Sequence, residues 1–273
     1  MVLQGKDAPP LELLFEPPGL AAFQLPEALG ELYPGTLGFP EERLYANFIE
    51  TVDGVVSITS LPRSVSVLGG ATAADRFVMA LLRACADALL LGATTVAHSS
   101  EARWTAASLY PGAAADFAEL REALGLAPEP QLAIVTASGR LDLSHPALEA
   151  GALVLTTTGG AALLEGRLPA ASEAVPLGEA SVDLRAAVQL LRARGHGRIL
   201  SEGGPHMLGS LLDAGVVDEL FVTVSPLLAG RGDGGRLGLV EGVELLPERR
   251  VTWDLLGVRR DEAHLFLRYG RSA

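Results

Sequence analysis

The feature that most constrains this chain is its alternation of short apolar runs with amphipathic segments. Ala88–Leu91 is a continuously apolar run that stops at Gly92. Similar strand-like runs occupy Leu132–Thr136, Leu153–Thr156, Arg198–Ser201 and Glu219–Ser225. Apolar residues at helical spacing predict a helix over about 73–86, a second ending near Gly195 and a third over Pro205–Leu212. Because strands that alternate with helices pair in parallel, we expect a largely parallel sheet with helices on both faces.

Further strand-like segments lie at the two ends of this pattern. Arg43–Glu50 and Val55–Ile58 are strand-like around Asp53-Gly54, a pair that suits a turn with positive φ. The last two strand-like stretches, 250–258 and 263–269, follow each other without a helix, which indicates an antiparallel edge. A glycine-rich loop is expected at 230–238.

The chain divides into an arm and one domain. Residues 1–40 are expected to run over the surface, with one short helix within 20–32, because repeated prolines interrupt any longer helix. Residues 41–273 contain no internal repeat and no shift in composition, so we expect a single domain there.

Charge and hydropathy exclude several classes of partner. The formal net charge of −12 makes the chain a poor match for nucleic-acid phosphates or an anionic membrane surface. No stretch approaches the roughly 20 apolar residues of a membrane span, and the first residues lack a secretory signal pattern. We therefore expect a cytoplasmic protein with a small-molecule partner. The single cysteine, Cys85, and dispersed histidines predict no metal site.

The strongest local signal is Ser201-Glu202-Gly203-Gly204-Pro205, which joins a strand to a helix. Two glycines let a ligand approach the backbone closely, and Pro205 suits the first helical position. The start of such a helix offers free N–H groups to a phosphate. A tight turn that binds nothing is the alternative.

Two further turns follow predicted strands. Gly92, Thr94 and Thr95 come after the first apolar strand, and Ser138 and Arg140 come after another. Carboxyl ends of parallel strands open into one crevice, so these turns reinforce each other. Arg140 can meet an adenosine 2′-phosphate, although a solvated loop arginine and simple capping hydroxyls are the alternatives.

Two polar residues, Asn47 and Asp53, lie in and just after the strand-like stretch 43–50. Asn47 lies in an otherwise apolar strand, where a buried amide needs a partner. A sheet-bridging amide is the alternative to a binding role. Asp53 is also the natural residue before Gly54 in a turn.

Several ordered motifs together resemble the pyrimidine reductase family of riboflavin biosynthesis. They are Asn47-x-x-x-Thr51-Val52-Asp53-Gly54, Gly69-Gly70-x-x-x-x-Asp75-Arg76, the stretch 82–96 ending in Gly92-Ala93-x-Thr95-Val96, Ser201-Glu202-Gly203-Gly204-Pro205, and the stretch 217–228. The resemblance implies a dihydrofolate-reductase-like fold, a three-layer α/β/α arrangement with a mixed, mainly parallel central sheet and an antiparallel edge. It also implies a homodimer and an NADPH-dependent reductase that transfers hydride to the ribose C1′ of a phosphoribosylaminopyrimidine.

The resemblance assigns roles to residues of this chain. Gly203 and Gly204 match the dinucleotide-phosphate turn, and Gly92, Thr94 and Thr95 match a second cofactor turn. Asn47, Thr51, Asp53 and Glu202 match positions that face substrate near the nicotinamide. Asn47 and Asp53 would hold the substrate's polar atoms, and Glu202 would contact ribityl hydroxyls or relay a proton.

One segment departs from the family pattern and leaves the substrate open. After the Gly92 turn this chain has Ala97-His98-Ser99-Ser100-Glu101-Ala102-Arg103-Trp104, where only Arg103 could hold a substrate phosphate. A nicotinamide-dependent reductase of another small carbonyl, imine or pterin-like substrate is one alternative. A catalytically silent member that binds nucleotide or only dimerises is another. The chain lacks the zinc-ligand pattern of the deaminase found in related fused enzymes.

Overall fold

The computed structural model describes residues 8–61, 67–69, 72–99, 103–232 and 235–272. Residues 1–7 of the predicted arm, Gly70, and residues 233–234 of the predicted glycine-rich loop lie outside these ranges, as do Ser100, Glu101 and Ala102. The helices are α1 Glu27–Leu32, α2 Ala73–Ala84, α3 Ala93–Ala97, α4 Ala106–Leu109, α5 Ala114–Ala123, α6 Pro146–Ala150, α7 Thr158–Leu164, α8 Leu184–Ala193 and α9 Pro205–Asp213. A 3₁₀ turn at Pro111–Ala113 precedes α5.

The strands alternate with these helices along most of the chain. They are β1 Glu12–Phe15, β2 Arg43–Thr51, β3 Ser57–Ile58, β4 Ala88–Gly92, β5 Gln131–Thr136, β6 Ala152–Thr156, β7 Glu173–Pro176, β8 Arg198–Ser201, β9 Glu219–Ser225, β10 Arg236–Leu237, β11 Trp253–Asp261 and β12 His264–Arg271. The sheet order is β1-β11-β12-β9-β2-β8-β4-β5-β6-β7, and β10 pairs with β3 in a separate two-stranded sheet.

The sheet is parallel from β9 to β7 and antiparallel at the other end. β2 pairs in parallel with both β8 and β9, and β4, β5, β6 and β7 continue the parallel part. β12 runs antiparallel to β9, β11 to β12, and β1 to β11. The predicted antiparallel edge is therefore confirmed. The strands predicted at 219–225 and 263–269 pair with each other within the chain.

Two apolar layers lie on opposite faces of the sheet, which confirms the three-layer α/β/α prediction. On β2, Tyr45 packs on the face covered by α2, whereas Leu44 and Ala46 pack on the face covered by α8 and α9. Side chains along a strand alternate between faces, so one strand supplies both layers. The first layer also contains apolar side chains of α5, α6 and α7.

Helix α2 is held at both ends by polar contacts. At its start the Thr72 hydroxyl accepts a hydrogen bond from the Asp75 amide at 3.1 Å. At its end the buried Arg121 guanidinium donates to the carbonyls of Arg83, Ala84 and Ala86 at 2.8–3.2 Å. These contacts satisfy backbone groups that a helix end leaves unpaired. The helix therefore has a defined position across the β2 face of the sheet.

The proline-rich segment before β2 packs against the sheet rather than only over it. Leu29, Tyr33, Leu37 and Phe39 are buried in the same apolar layer as α2. β1 extends the sheet beside β11. No helix among the described residues has the length and apolar character needed to cross a membrane.

A buried arginine joins this segment to β11. The Arg259 guanidinium donates to the Glu16 carboxylate at 2.7 Å and to the Pro34 carbonyl at 2.8 Å. It also lies 4.0 Å from the centre of the Tyr33 ring. Only 1% of the Arg259 side chain is exposed, so its charge depends on these partners.

Arg259→Ala is expected to lower the free energy of unfolding by about 3–5 kcal/mol, because it removes one partner of a buried ion pair. Urea denaturation measures the loss. The neighbouring Arg260 pairs with Glu12 in an exposed position, with side-chain exposures of 47% and 55%. Arg260→Ala is therefore the control and should cost less than about 1 kcal/mol. Equal losses in the two variants would contradict the role given to Arg259.

Candidate active site

Two glycine turns lie side by side at the carboxyl ends of β4 and β8. These strands are parallel neighbours, with Leu90 paired to Ser201. β4 ends at Gly92 and α3 begins immediately after it, while Gly203 and Gly204 lie between β8 and α9. The structure therefore brings together the two turns predicted from separate parts of the sequence.

Met207 lies between the two turns. A side-chain carbon placed on Gly203 would come within 3.0 Å of the Met207 Cβ, and one on Gly92 would lie 3.6 Å from its Cε. Its sulfur is 3.9 Å from the Ser201 hydroxyl. Methionine has a flexible, unbranched side chain that can change rotamer in an irregular space. Met207 can therefore change conformation between the two turns, and any side chain at position 203 would have to displace it.

Gly204 and the start of α9 have a different environment. Gly204 is the N-cap residue of α9, with φ −71° and ψ 177°, and no side chain caps the helix. A side-chain carbon on Gly204 would meet nothing within 4 Å. The first turn of this nine-residue helix carries a partial positive charge that favours an anion. Space and charge together suit a phosphate group.

The third predicted turn lies one strand further along the sheet. Ser138 and Arg140 are exposed in the loop after β5, and the Arg140 amide donates to the Ser138 hydroxyl at 3.3 Å. Gly139, at φ +65°, packs directly on the backbone of Gly160, where any side chain would overlap. Both residues need to be glycine because the two backbones are in contact.

No site was predicted at the stretch Thr156-Thr157-Thr158-Gly159-Gly160, whose first residue ends β6. The Thr157 hydroxyl donates to the Ala137 carbonyl at 2.7 Å and accepts from the Gly160 amide at 3.0 Å. It thereby fixes the Ser138–Arg140 loop to the start of α7. A strand that ends in threonine and is followed by two more threonines and two glycines is the signal that could have found this contact.

Glu202 forms a buried ion pair with α2. The Arg83 Nε donates to Glu202 Oε1 at 2.8 Å, and Arg83 Nη2 donates to Oε2 at 2.7 Å. The side chains are 4% and 10% exposed. Two parallel hydrogen bonds between guanidinium and carboxylate fix both position and orientation. The carboxylate predicted to face substrate is therefore held in place by the helix above it.

Asn47 and Thr51 lie on the face of β2 that α2 covers. Asn47 lines a small cavity of about 10 Å³ together with Val78 of α2, Phe221 and Thr223. The Thr51 hydroxyl is buried and takes part in the turn that follows β2, where it accepts from the Val55 amide at 3.1 Å.

Asp53 joins that turn to the loop after β9. Its Oδ1 accepts from the Thr51 hydroxyl at 2.5 Å and from the Ala229 amide at 3.0 Å, and its Oδ2 accepts from the Gly230 amide at 2.8 Å. The Thr51 hydrogen bond and these amides lower the pKa of Asp53 to about 2. Asp53 therefore links the turn after β2 to the loop after β9 by hydrogen bonds.

Arg103 lies away from the other predicted residues. It pairs with Glu129 in an exposed position and lines a cavity of about 690 Å³ with Asp87 and Gln131. Asp87 and Gln131 are at the beginnings of β4 and β5, opposite the glycine turns. The structure does not bring Arg103 to the edge where Gly92 and Gly203 lie.

Asp75 is a buried carboxylate for which sequence reasoning proposed no role. It lies in the first turn of α2 and is 3% exposed. Burial raises the pKa of Asp75 to about 6, although the Thr223 hydroxyl donates to its carboxylate. An acidic residue in a first helical turn is common, so the sequence carried no distinct signal for it.

The described residues include neither a reactive cysteine nor a cluster of metal ligands. Cys85 is a fully buried core residue, and desolvation raises its pKa to about 12. Within the described ranges, no three histidine, cysteine, aspartate or glutamate side chains cluster as metal ligands would.

Comparison with known proteins gives a family match over most of the chain. Residues 43–267 match the family model of the RibD C-terminal domain. The chain is 27% identical over 192 residues to the 2,5-diamino-6-ribosylamino-4(3H)-pyrimidinone 5′-phosphate reductase of Archaeoglobus fulgidus. That match covers 70% of this chain and 83% of the relative.

Solved structures with the same fold include two reductase-like proteins. A pyrimidine reductase-like protein from Corynebacterium diphtheriae superposes with a TM-score of 0.68 at 20% identity, over 92% of this chain and 96% of the other. A diaminohydroxyphosphoribosylaminopyrimidine deaminase/5-amino-6-(5-phosphoribosylamino)uracil reductase from Thermotoga maritima gives a TM-score of 0.60 at 18% identity, over 85% of this chain and 57% of the other. These likenesses show a shared fold.

Arg83→Met is expected to lower the free energy of unfolding by about 3–5 kcal/mol, because it leaves the Glu202 carboxylate buried without its cation. The double variant Arg83→Met/Glu202→Leu should recover most of the loss, since no unpaired charge remains. Urea denaturation of the full double-mutant cycle measures the coupling. Arg249→Met, which breaks an exposed pair with Asp213, is the control and should change stability by less than about 1 kcal/mol. Additive losses in the cycle would contradict the pairing.

Proposed function

Since this chain belongs to the family of RibD C-terminal domains, we propose that it is an NADPH-dependent reductase of a phosphoribosylaminopyrimidine. The observation that carries the proposal is the pair of glycine turns on adjacent parallel strands, beside an uncapped helix start. Such turns offer backbone amides to the phosphates of a dinucleotide. The relative from Archaeoglobus fulgidus is named as a reductase of a substrate in this class.

The residues at this edge of the sheet fit the phosphate end of NADPH. Gly204 leaves open space next to the start of α9, and Gly92 and Thr94 lie beside it after β4. Ser138 and Arg140 are exposed in the loop after β5, the next strand along, where a guanidinium can pair with a 2′-phosphate. A 2′-phosphate distinguishes NADPH from NADH, so Arg140 is the residue proposed to give the preference.

The acidic composition explains why backbone amides should bind the cofactor phosphates. With a net charge of −12, the long-range field of the protein disfavours an anionic cofactor. Amides at a helix start and in glycine turns act at hydrogen-bond distance and do not depend on that field. We infer that local donors hold the cofactor phosphates.

The substrate is proposed to lie over β2, next to the nicotinamide. When bound, NADPH supplies the hydride that reduces the ribose C1′, and the protein binds and orients the reactants. Asn47 would hold a polar atom of the substrate, and Glu202, fixed by Arg83, would face the ribityl hydroxyls. Hydride transfer requires no protein nucleophile, which agrees with the inert, buried Cys85.

Asp53 and Thr51 are proposed to position the loops beside the substrate and not to contact the substrate themselves. Their hydrogen bond, and those from Ala229 and Gly230 to Asp53, hold the β2–β3 turn against the loop after β9. The shape of the substrate side therefore depends on a carboxylate that remains ionised above its lowered pKa.

Gly204→Val tests the cofactor site directly. The Gly204 backbone accepts a side chain and nothing lies within 4 Å, so the variant should fold and lose only about 1 kcal/mol, because valine is a poorer N-cap residue than glycine. Valine should nevertheless lower NADPH affinity by at least about 10-fold, because it occupies the space proposed for a phosphate. NADPH fluorescence titration measures the affinity, and substrate-dependent loss of NADPH absorbance measures the reaction.

Gly30→Val is the matched control for this experiment, since Gly30 also has nothing within 4 Å and lies in α1. Its NADPH affinity should equal that of the natural chain. Unchanged affinity in Gly204→Val would remove the support for a phosphate at the start of α9. Absence of NADPH binding by the natural chain at millimolar concentration would favour a silent member of the family.

The protein is also proposed to be a homodimer. β1 is the outermost strand at its edge of the sheet, and Leu13, Leu14 and Phe15 on it are 40%, 47% and 45% exposed. An exposed apolar edge strand is a surface that a second subunit can cover. This surface supports the proposal by its position and composition.

Leu14→Arg is expected to convert the dimer into a monomer, because it places a charge in the proposed interface. Sedimentation velocity at micromolar concentration measures the change. Leu163→Arg on α7, at a site with 42% exposure, is the control and should remain dimeric. A dimer that persists in Leu14→Arg would place the interface elsewhere.

A further inference from the structure

Three buried polar atoms, at the start of α2, the end of β9 and the start of β12, have no hydrogen-bond partner among the described residues. They are Asp75 Oδ2, Ser225 Oγ and His264 Nε2. Asp75 is 3% exposed and Ser225 is fully buried. A buried acceptor or donor without a partner costs free energy, so each such group calls for an explanation. None of the roles proposed above uses these three residues.

The three atoms belong to one neighbourhood. The Thr223 hydroxyl donates to the Asp75 carboxylate, and Ser225 lies two residues further along the same face of β9. A side-chain carbon on Gly69 would lie 3.1 Å from Ser225 Oγ and 3.5 Å from His264 Nε2. The charged groups that act on Asp75 are His264 of β12, Arg76 of α2 and Glu202 after β8.

This neighbourhood adjoins the proposed substrate position. Thr223 pairs with Ile49 of β2, between Asn47 and Thr51 on that strand. Asn47 and Thr223 also line the same small cavity, together with Val78, which lies one helical turn after Asp75. Through its hydrogen bond with Thr223, the Asp75 carboxylate thus lies near the same stretch of β2 and β9 as the residues proposed to face the pyrimidine.

The chemistry of these atoms matches one edge of an aminopyrimidine. A carboxylate accepts hydrogen bonds on both oxygens, and Thr223 uses only part of that capacity. A 2-amino-4-oxopyrimidine presents an amino group and a ring N–H side by side, followed by a carbonyl. Two adjacent donors suit a carboxylate, and a hydroxyl or imidazole N–H suits the carbonyl. Ser225 and His264 are the neighbouring groups able to donate.

We propose that Asp75 is a substrate-binding residue that selects a 2-amino-4-oxopyrimidine over the corresponding uracil. The proposal rests on the proposed function, because it names the base that the same site takes. A uracil replaces the 2-amino group with a carbonyl, whose lone pairs would face the Asp75 carboxylate. A site built to accept two donors therefore rejects the uracil through an unpaired, repelled acceptor.

Equilibrium binding to the protein–NADP⁺ complex, which has no hydride to transfer, tests this selection without turnover. The two probes are 2,5-diamino-6-ribosylamino-4(3H)-pyrimidinone 5′-phosphate and 5-amino-6-(5-phosphoribosylamino)uracil, measured by isothermal titration calorimetry. The natural chain should bind the diamino compound at least about 10-fold more tightly. Asp75→Asn, whose amide offers one donor and one acceptor, should reduce that ratio by at least about 10-fold and leave NADPH affinity unchanged.

Two further variants keep the test specific. Asp116→Asn, in the first turn of α5, is the matched control and should preserve the ratio. Thr223→Val removes the hydroxyl that positions Asp75 and should lower the ratio less than Asp75→Asn does. Thermal unfolding shows whether the variant folds. The pKa of Asp75 is raised in the folded protein, so its ionised carboxylate destabilises the folded state at pH 8. Asp75→Asn should therefore melt at a higher temperature than the natural chain at that pH.

The outcomes separate this proposal from the proposed function. Equal binding of the two probes, tighter binding of the uracil, or an unchanged ratio in Asp75→Asn would overturn the role of Asp75 while leaving NADPH-dependent reduction intact. The expected binding ratio without any oxidation of NADPH would support Asp75 and overturn the proposed reaction. Binding of neither probe would overturn both.

Discussion

The paired hydrogen bonds between Arg83 and Glu202 are the contact on which the arrangement of this site depends. They join the last turns of α2 to the residue that precedes Gly203. A bidentate pair between two nearly buried side chains fixes an angle as well as a distance. With the Tyr45 hydroxyl donating to the Leu82 carbonyl at 2.9 Å, it sets α2 across β2. The turn proposed to bind the cofactor and the helix that begins near Asp75 are therefore joined directly by hydrogen bonds.

The overall charge of the protein and the charge at the proposed ligand site have opposite signs. The chain is acidic, and buried arginines such as Arg83 and Arg259 are paired with carboxylates of the fold. The anionic ligand proposed here would instead meet backbone amides at a helix start, whose partial charge acts over a short range. Asp75 is the reverse case, a carboxylate whose buried Oδ2 lacks a described partner. Its free energy is lowered if a ligand supplies donors.

Much of the fold was predicted from local patterns, and the exceptions have physical causes. Arg198–Ser201 and Glu219–Ser225 are strands with the predicted bounds, because each is a short apolar run ended by turn residues. The strand predicted at Val55–Ile58 is shortened to Ser57–Ile58, since Val55 belongs to the turn closed by Thr51. The proline-rich segment was expected on the surface, yet Leu29 and Leu37 are fully buried. Prolines limit helix length but leave apolar side chains free to pack.

The sequence by itself determined the alternation of strands and helices, the antiparallel edge and the positions of the glycine turns. Each depends on neighbouring residues only, through side-chain periodicity or the absence of a side chain. The tertiary structure alone decided the environment of each polar group. Glu202 meets Arg83 across 119 residues, and Asp53 meets Ala229 across 176. It also placed Arg103 at the far edge and buried Asp75. Burial and pairing depend on which distant segments meet, and no local pattern encodes that.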